Sequence, residues 1–238
     1  VFMFKNTNSI KNQLYRLAIL QCLLVIVFWL YLIISKTMSL LNTVNYQISQ
    51  NSEKILTQLD NDLSVLSRTT LFPVNRSLFA NNDSLCSGLR KGSILGNHTF
   101  EFEFFTQAQT HLNNSSVDFV AIYDQSGNGV FLTKKSTLSH TCTIRQNADW
   151  YTSTLQDHLG SSLVLGPNDF LNSGIAEKDS VSVCVARNLM DPYHYRTIGV
   201  CVAGIDVNNI IRDTFPENNL TNQEFVIYYD SKLSFLYL

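Results

Sequence analysis

Phe119-Val120-Ala121-Ile122-Tyr123-Asp124 returns near the end of the chain as Phe225-Val226-Ile227-Tyr228-Tyr229-Asp230. Both copies are rich in the β-branched and aromatic residues that suit a pleated, half-buried surface, so each reads as a strand. Each ends in Tyr-Asp and runs into turn-forming residues. The echo predicts two related modules in tandem. After the first copy, Gln125-Ser126-Gly127-Asn128-Gly129 supplies the positive φ that a tight hairpin needs, and Val130 to Thr133 gives the return strand. Asp124 is the residue expected to shape that turn. The chain opens at Val1 rather than a methionine and stops soon after the second copy, at Leu238, so it reads as a fragment.

Aromatic residues at helical spacing predict a short helix over Phe100 to Leu112, after a polar, turn-rich stretch from Asn82 to Gly96. A second short helix is expected over Trp150 to His158, stopped by Gly160. Ser162 to Leu165 reads as a strand. Val181 to Leu189 and Ile198 to Val207 alternate as two strands around the loop from Met190 to Thr197. Pairing them symmetrically about a point in the loop between Pro192 and Tyr193 sets Cys184 opposite Cys201. Directly opposed residues share a face, which makes these two thiols a candidate disulfide. Free buried thiols are the other reading of the same residues.

Upstream, Ser39 to Phe72 contains neither Pro nor Gly. Leu41, Val44, Ile48, Ile55, Leu59, Leu63 and Leu66 recur there as one apolar stripe on a helix, interrupted at Asn51 and Ser52. Pro73 ends it. Such a stripe can pack on its own domain, on a partner helix, or on both. Before it, the run from Leu17 to Ile34 is apolar except for Gln21, and as a helix measures roughly 27 Å, close to the thickness of a bilayer core. Lys5, Lys11 and Arg16 precede the run and only Lys36 follows closely, which predicts a cytoplasmic N-terminus with the rest of the chain outside the cell membrane. A cleaved signal peptide is the competing reading. Its apolar core is normally about 7 to 15 residues long with a small-residue cleavage site, and Ile34-Ser35-Lys36-Thr37-Met38 carries no such site. The expected organisation is a cytoplasmic N-terminus over 1–13, a transmembrane helix over 14–35 and a stalk helix over 36–73. A membrane-distal ligand-binding module over 74–215 and the start of a second module over 216–238 complete it.

A net charge of −2 with no basic cluster excludes nucleic acid as an expected partner. Cys22 lies inside the membrane run, whereas Cys86, Cys142, Cys184 and Cys201 fall on the outer side, where disulfides can form. No C-x-x-C spacing occurs and the five histidines are scattered, so neither a metal site nor a cofactor is expected. Asn75, Asn82, Asn97, Asn113, Asn114 and Asn219 head N-x-S/T sequons, a weak signal in a chain so rich in Asn and Ser. No G-x-S-x-G, H-E-x-x-H or phosphate loop is present, and no catalytic residue is assigned to this segment.

The order of anchor, stalk helix, F-V-x-x-Y-D strand, Asp149-Trp150-Tyr151 opening a helix, and two strands ending Gly199-Val200 and Gly204-Ile205-Asp206 resembles the double Cache (tandem PAS-like) sensor regions of bacterial receptors. It is most similar to the N-terminal part of YesM-like sensor histidine kinases, whose stalks read much like Ile55-Leu56-x-x-Leu59-Asp60. The resemblance implies an α+β fold. A transmembrane helix continues into the stalk, followed by a PAS-like antiparallel sheet flanked by helices and the start of a second module. It also implies a two-component receptor that dimerises through stalk and transmembrane helices within the lipid bilayer. A small-molecule ligand, or a solute-binding protein presenting one, would act on the distal module. A chemotaxis receptor, or a single-anchor surface glycoprotein, is the alternative. By the amino-acid-binding branch of that family, Trp150 and Tyr151 match the ligand-gripping aromatic pair and Asp206 the later acid. Asp169 stands near the middle acid, with Asn168 and Pro167 where a Tyr is expected. Ala148 occupies the position of the carboxylate-binding Arg, with Arg145 the nearest substitute, so a neutral or sugar-like ligand competes with an amino acid. Arg187 and Tyr123 are further candidates on the neighbouring strands.

Overall fold

A computed structural model of the chain describes residues 6–74, 83–92, 94–144, 148–157, 162–165, 182–206, 209–210, 226–229 and 232–235. The chain divides into two units, Val1–Lys54 and Ile55–Leu238. One helix, α1 (Asn6–Thr69, 64 residues), supplies almost all of the first unit and the opening of the second. Within the first unit the helix is long and apolar enough to cross a membrane, and its Leu, Val, Ile and Phe side chains point outward. Leu41, Val44 and Ile48 are exposed as well.

In the second unit the stripe changes character. Ile55 and Leu66 are buried, and Leu59 and Leu63 pack against the same core. Helix α1 stops at Thr69 and turns through 71–74, where Pro73 lies, a few residues before the expected end. The stretch expected to be a polar connection holds a helix, α2 (Asp83–Lys91), whose buried Leu85, Cys86 and Leu89 fall at helical spacing. Helix α3 (His98–Asn113) starts where Asn97 accepts a hydrogen bond from the Phe100 amide, so this sequon asparagine serves as an N-cap.

The second unit's main sheet is antiparallel with strand order β3-β2-β1-β6-β5-β4. Its strands are β1 (Phe119–Asp124), β2 (Asn128–Thr133), β3 (His140–Thr143), β4 (Ser162–Leu165), β5 (Ser182–Met190) and β6 (Thr197–Asp206). Helix α4 (Asp149–Gln156) lies between β3 and β4 in sequence. The α+β class, with a long helix leading into an antiparallel sheet flanked by helices, is therefore as expected. The edge strand β3 is an addition, exposed or half-buried throughout and too polar to read as a strand.

Successive side chains on a strand face opposite ways, and both faces of this sheet are covered, so β1 is buried at every position. Val120, Ile122, Leu132, Val185, Cys201 and Ala203 share one core with α1, α2 and α3. Ala121, Tyr123, Cys184, Ala186, Val200 and Val202 share the other with Trp150 and Tyr151 of α4. The β5–β6 register pairs Cys184 with Gly204 and Arg187 with Cys201. The symmetric pairing of the two cysteines is thus wrong by three positions. An odd shift moves a side chain to the other face, so Cys184 and Cys201 lie in different cores and both are free thiols. The loop is off-centre because the register slips between Leu189 and Met190 and Thr197 already pairs with Met190.

That loop is held by Asp191. Its carboxylate takes a two-pronged contact from Arg90 of α2 at 2.7 and 3.0 Å, the Tyr193 amide at 2.9 Å and His194 Nδ1 at 2.8 Å. The Arg90 guanidinium also sits 5.1 Å from the Tyr193 ring centre, a cation–π distance. Beyond β6, residues 209–210 are helical. The second copy of the opening motif forms β7 (Val226–Tyr229), which pairs with β8 (Lys232–Phe235) in a separate hairpin, Tyr229 opposite Lys232.

Candidate functional site

The face of the sheet away from α1 carries an aromatic triad. Tyr123 projects from β1, and α4 lays Trp150 and Tyr151 over it, with ring centres 6.3 and 6.2 Å from Tyr123 and 5.8 Å from each other, all edge to face. Two glycines make room for it. A Cβ on Gly129, opposite Tyr123 in the register, would come within 2.5 Å of that ring. Gly127 takes a φ of +81°, open to glycine at little cost, and closes the turn beneath Tyr151. Asp124 shapes the same turn, accepting from the Ser126 and Asn128 amides at 2.9 and 3.0 Å through Oδ1. The Tyr151 hydroxyl donates to the Asp124 carbonyl. Burial, and then the Asp124 charge, push the Tyr151 phenol well above its ordinary value. Burial likewise raises the neighbouring Cys142 thiol to about 11, against a hydrogen bond with Tyr123 that pulls it down. At neutral pH these groups are uncharged.

Asn188 completes the face. It follows Ala186 on the same side of β5 and, like Tyr123, pairs with Val200 in the register. Its Nδ2 donates to the carbonyls of Leu155 and Asp157 at 3.3 and 2.7 Å and to Thr197 Oγ1 at 3.0 Å, tying the end of α4 to the sheet. Its buried Oδ1, like the buried Asp124 Oδ2, has no hydrogen-bond partner among the described residues. An unsatisfied buried acceptor is costly and calls for a donor. Small-molecule sites are typically lined by aromatic side chains with a few polar groups. Among the described residues no three His, Cys, Asp or Glu side chains gather as a metal site.

Of the residues singled out from sequence, Trp150, Tyr151 and Tyr123 come together, each with less than a tenth of its surface exposed. Asp206 does not join them. It ends β6 six positions beyond Val200, the partner of Tyr123, on the order of 20 Å along the strand. Arg187 lies on the opposite face and reaches α1, donating to Ser67 Oγ at 2.7 Å and Thr70 Oγ1 at 3.1 Å. Asp169 and Arg145 lie outside the described residues. Ala148 is the N-cap of α4 and makes no side-chain cap. Asn188 escaped the sequence reading. Its one signal was a polar residue at an alternate position with Cys184, Ala186 and Met190, which has meaning only once the register is known.

No protein-family model and no curated protein matches the chain. Among solved structures, it is similar to the sensory domain of the Campylobacter jejuni chemoreceptor Tlp3, with 13% identity and a TM-score of 0.40 over 77% of this chain and 73% of that one. The ligand-binding domain of the same chemoreceptor in complex with 4-methylisoleucine gives 14% identity and a TM-score of 0.42 over 76% of this chain and 69% of that one. Its complex with L-valine gives 14% and 0.38 over 69% and 67%.

Proposed function

We propose that the chain is the extracytoplasmic ligand-sensing region of a membrane signal receptor, and that the Trp150–Tyr151–Tyr123 face of the sheet is its ligand site. The observation that carries this reading is the buried aromatic triad beside the unsatisfied oxygens of Asn188 and Asp124. A ligand offering a hydroxyl or N–H to those oxygens and an apolar edge to the rings answers both. Asp169 and Arg145 belong to the same proposal, while the positions of Asp206 and Arg187 suit supporting roles. The N-terminus is cytoplasmic and the first unit crosses the bilayer once. The distal module spans 74–215, a second module starts at 216–238, and stalk and membrane helices pair in a homodimer. A sensor histidine kinase is the output favoured by the stalk resemblance, with a chemotaxis signalling domain as the second reading. Ligand binding acts by its differential affinity for two arrangements of the helices, not by tightness alone.

A thermal-shift screen of the detergent-solubilised chain against sugars, neutral polyols and amino acids tests the site. A stabilising compound is expected to lose its effect in Trp150→Ala. Full retention of the shift removes the triad from the site.

A further inference from the structure

On the other side of the sheet, a cleft of about 280 Å³ opens between α1, the residues leading into β1, those following β2, and the end of β6. Asp62 of α1 stands in its inner wall, buried, accepting hydrogen bonds from Ser116 Oγ at 2.6 Å and Gln58 Nε2 at 3.2 Å. Asp118 faces the same space. Its Oδ2 accepts from the Asp206 amide and from Asn209 Nδ2, both at 2.8 Å. Every one of these donors is neutral. Among the described residues neither carboxylate has a basic group within ion-pair distance. Two ammonium groups nevertheless line the cleft at its exposed side, Lys134, whose Nζ donates to the Ser115 carbonyl at 3.0 Å, and Lys135.

The charges are thus sorted, with acids inside and bases at the mouth. With Asp62 buried, Asp118 half-buried and no counter-charge on either among the described residues, both carboxylates are stabilised by a cation that reaches them. A plain organic cation would have to pass two lysines and remain near them. A molecule with its own anionic end turns that repulsion into attraction. We propose that this cleft binds a small zwitterion with separated charges, its primary ammonium seated between Asp62 and Asp118 and its carboxylate at the mouth against Lys134 and Lys135. The volume is near the lower end for small-molecule sites, which favours a short chain. One wall belongs to α1 and the others to the sheet and its connections, so the occupant bridges the two. The cleft and the aromatic triad lie on opposite faces of the sheet, and neither proposal depends on the other.

Titration calorimetry of the full chain in detergent micelles, with γ-aminobutyrate as probe and butylamine and butyrate as its two halves, tests the assignment. The zwitterion is expected to bind, and each half to bind about tenfold more weakly or worse. Lys135→Ala, at an exposed position, should weaken γ-aminobutyrate about threefold or more, and Asp118→Asn about tenfold. Arg196→Ala, an exposed charge removed from the loop between β5 and β6, should leave the affinity unchanged. Because Asp118 also holds the Asp206 amide, its variant is checked by circular dichroism, and Lys135→Ala decides the matter if that variant is unfolded. The proposal is overturned by absence of binding, by butylamine binding as tightly as γ-aminobutyrate, or by undiminished affinity in Lys135→Ala.

Discussion

Asp191 has no exposed side-chain surface, and its neighbours determine what it does to stability. Desolvation alone would raise its pKa. The Tyr193 amide, Arg90 and His194 outweigh that effect and hold the carboxyl well below the usual range. A carboxyl depressed by folding adds stability above its unfolded pKa, about 3.9, and that contribution is lost as pH falls from there through the folded value. Asp191→Ala strands the Arg90 guanidinium and is expected to cost on the order of 3 kcal/mol in urea unfolding at pH 7. The difference from wild type should be constant near neutrality and shrink below about pH 4. A pH-independent difference down to pH 2 would remove the carboxylate from the explanation. None of this was legible in the sequence. Arg90 and Asp191 sit in elements far apart in the chain, and charged residues near a loop look alike until the fold brings two of them together.

Among elements, α1 was the easiest to foresee and the easiest to misjudge. Its apolar spacing fixes a helix and a stripe, but the stripe does not say where burial begins. Leu41 and Leu66 look equivalent in that pattern, yet Leu41 is 51% exposed and Leu66 is 0% exposed. Leu66→Ala is expected to cost about 3 kcal/mol in urea unfolding of the sheet domain, the usual result of opening a cavity, and Leu41→Ala less than about 0.5 kcal/mol. Equal effects would mean that the helix packs differently. The aromatic strand and its Tyr-Asp turn were legible because strand composition, a glycine turn and an asparagine all agree. Helix α2 was missed because short polar residues conceal Leu85, Cys86 and Leu89. The cysteine pairing failed because a sheet register is a long-range property. A single slipped position at Leu189 and Met190 exchanges faces, and nothing local announces it.

For the whole molecule, the thiols set the redox behaviour. None of the five cysteines forms a disulfide, and burial raises Cys184 and Cys201 above the ordinary thiol range, which leaves them protonated and unreactive at neutral pH. Dithiothreitol at millimolar concentration is therefore expected to leave the melting temperature of the domain unchanged. A drop of several degrees would show that a disulfide had been supporting the fold. Strand β5 has a mechanical consequence. Asn188 grips the end of α4 on one side of the sheet, and the adjacent Arg187 grips Ser67 and Thr70 on the other. Consecutive links of one backbone are therefore hooked in opposite directions. Tugging α4 across its surface by an ångström loads the hook that holds α1, because a close-packed strand has no slack in which to lose the movement.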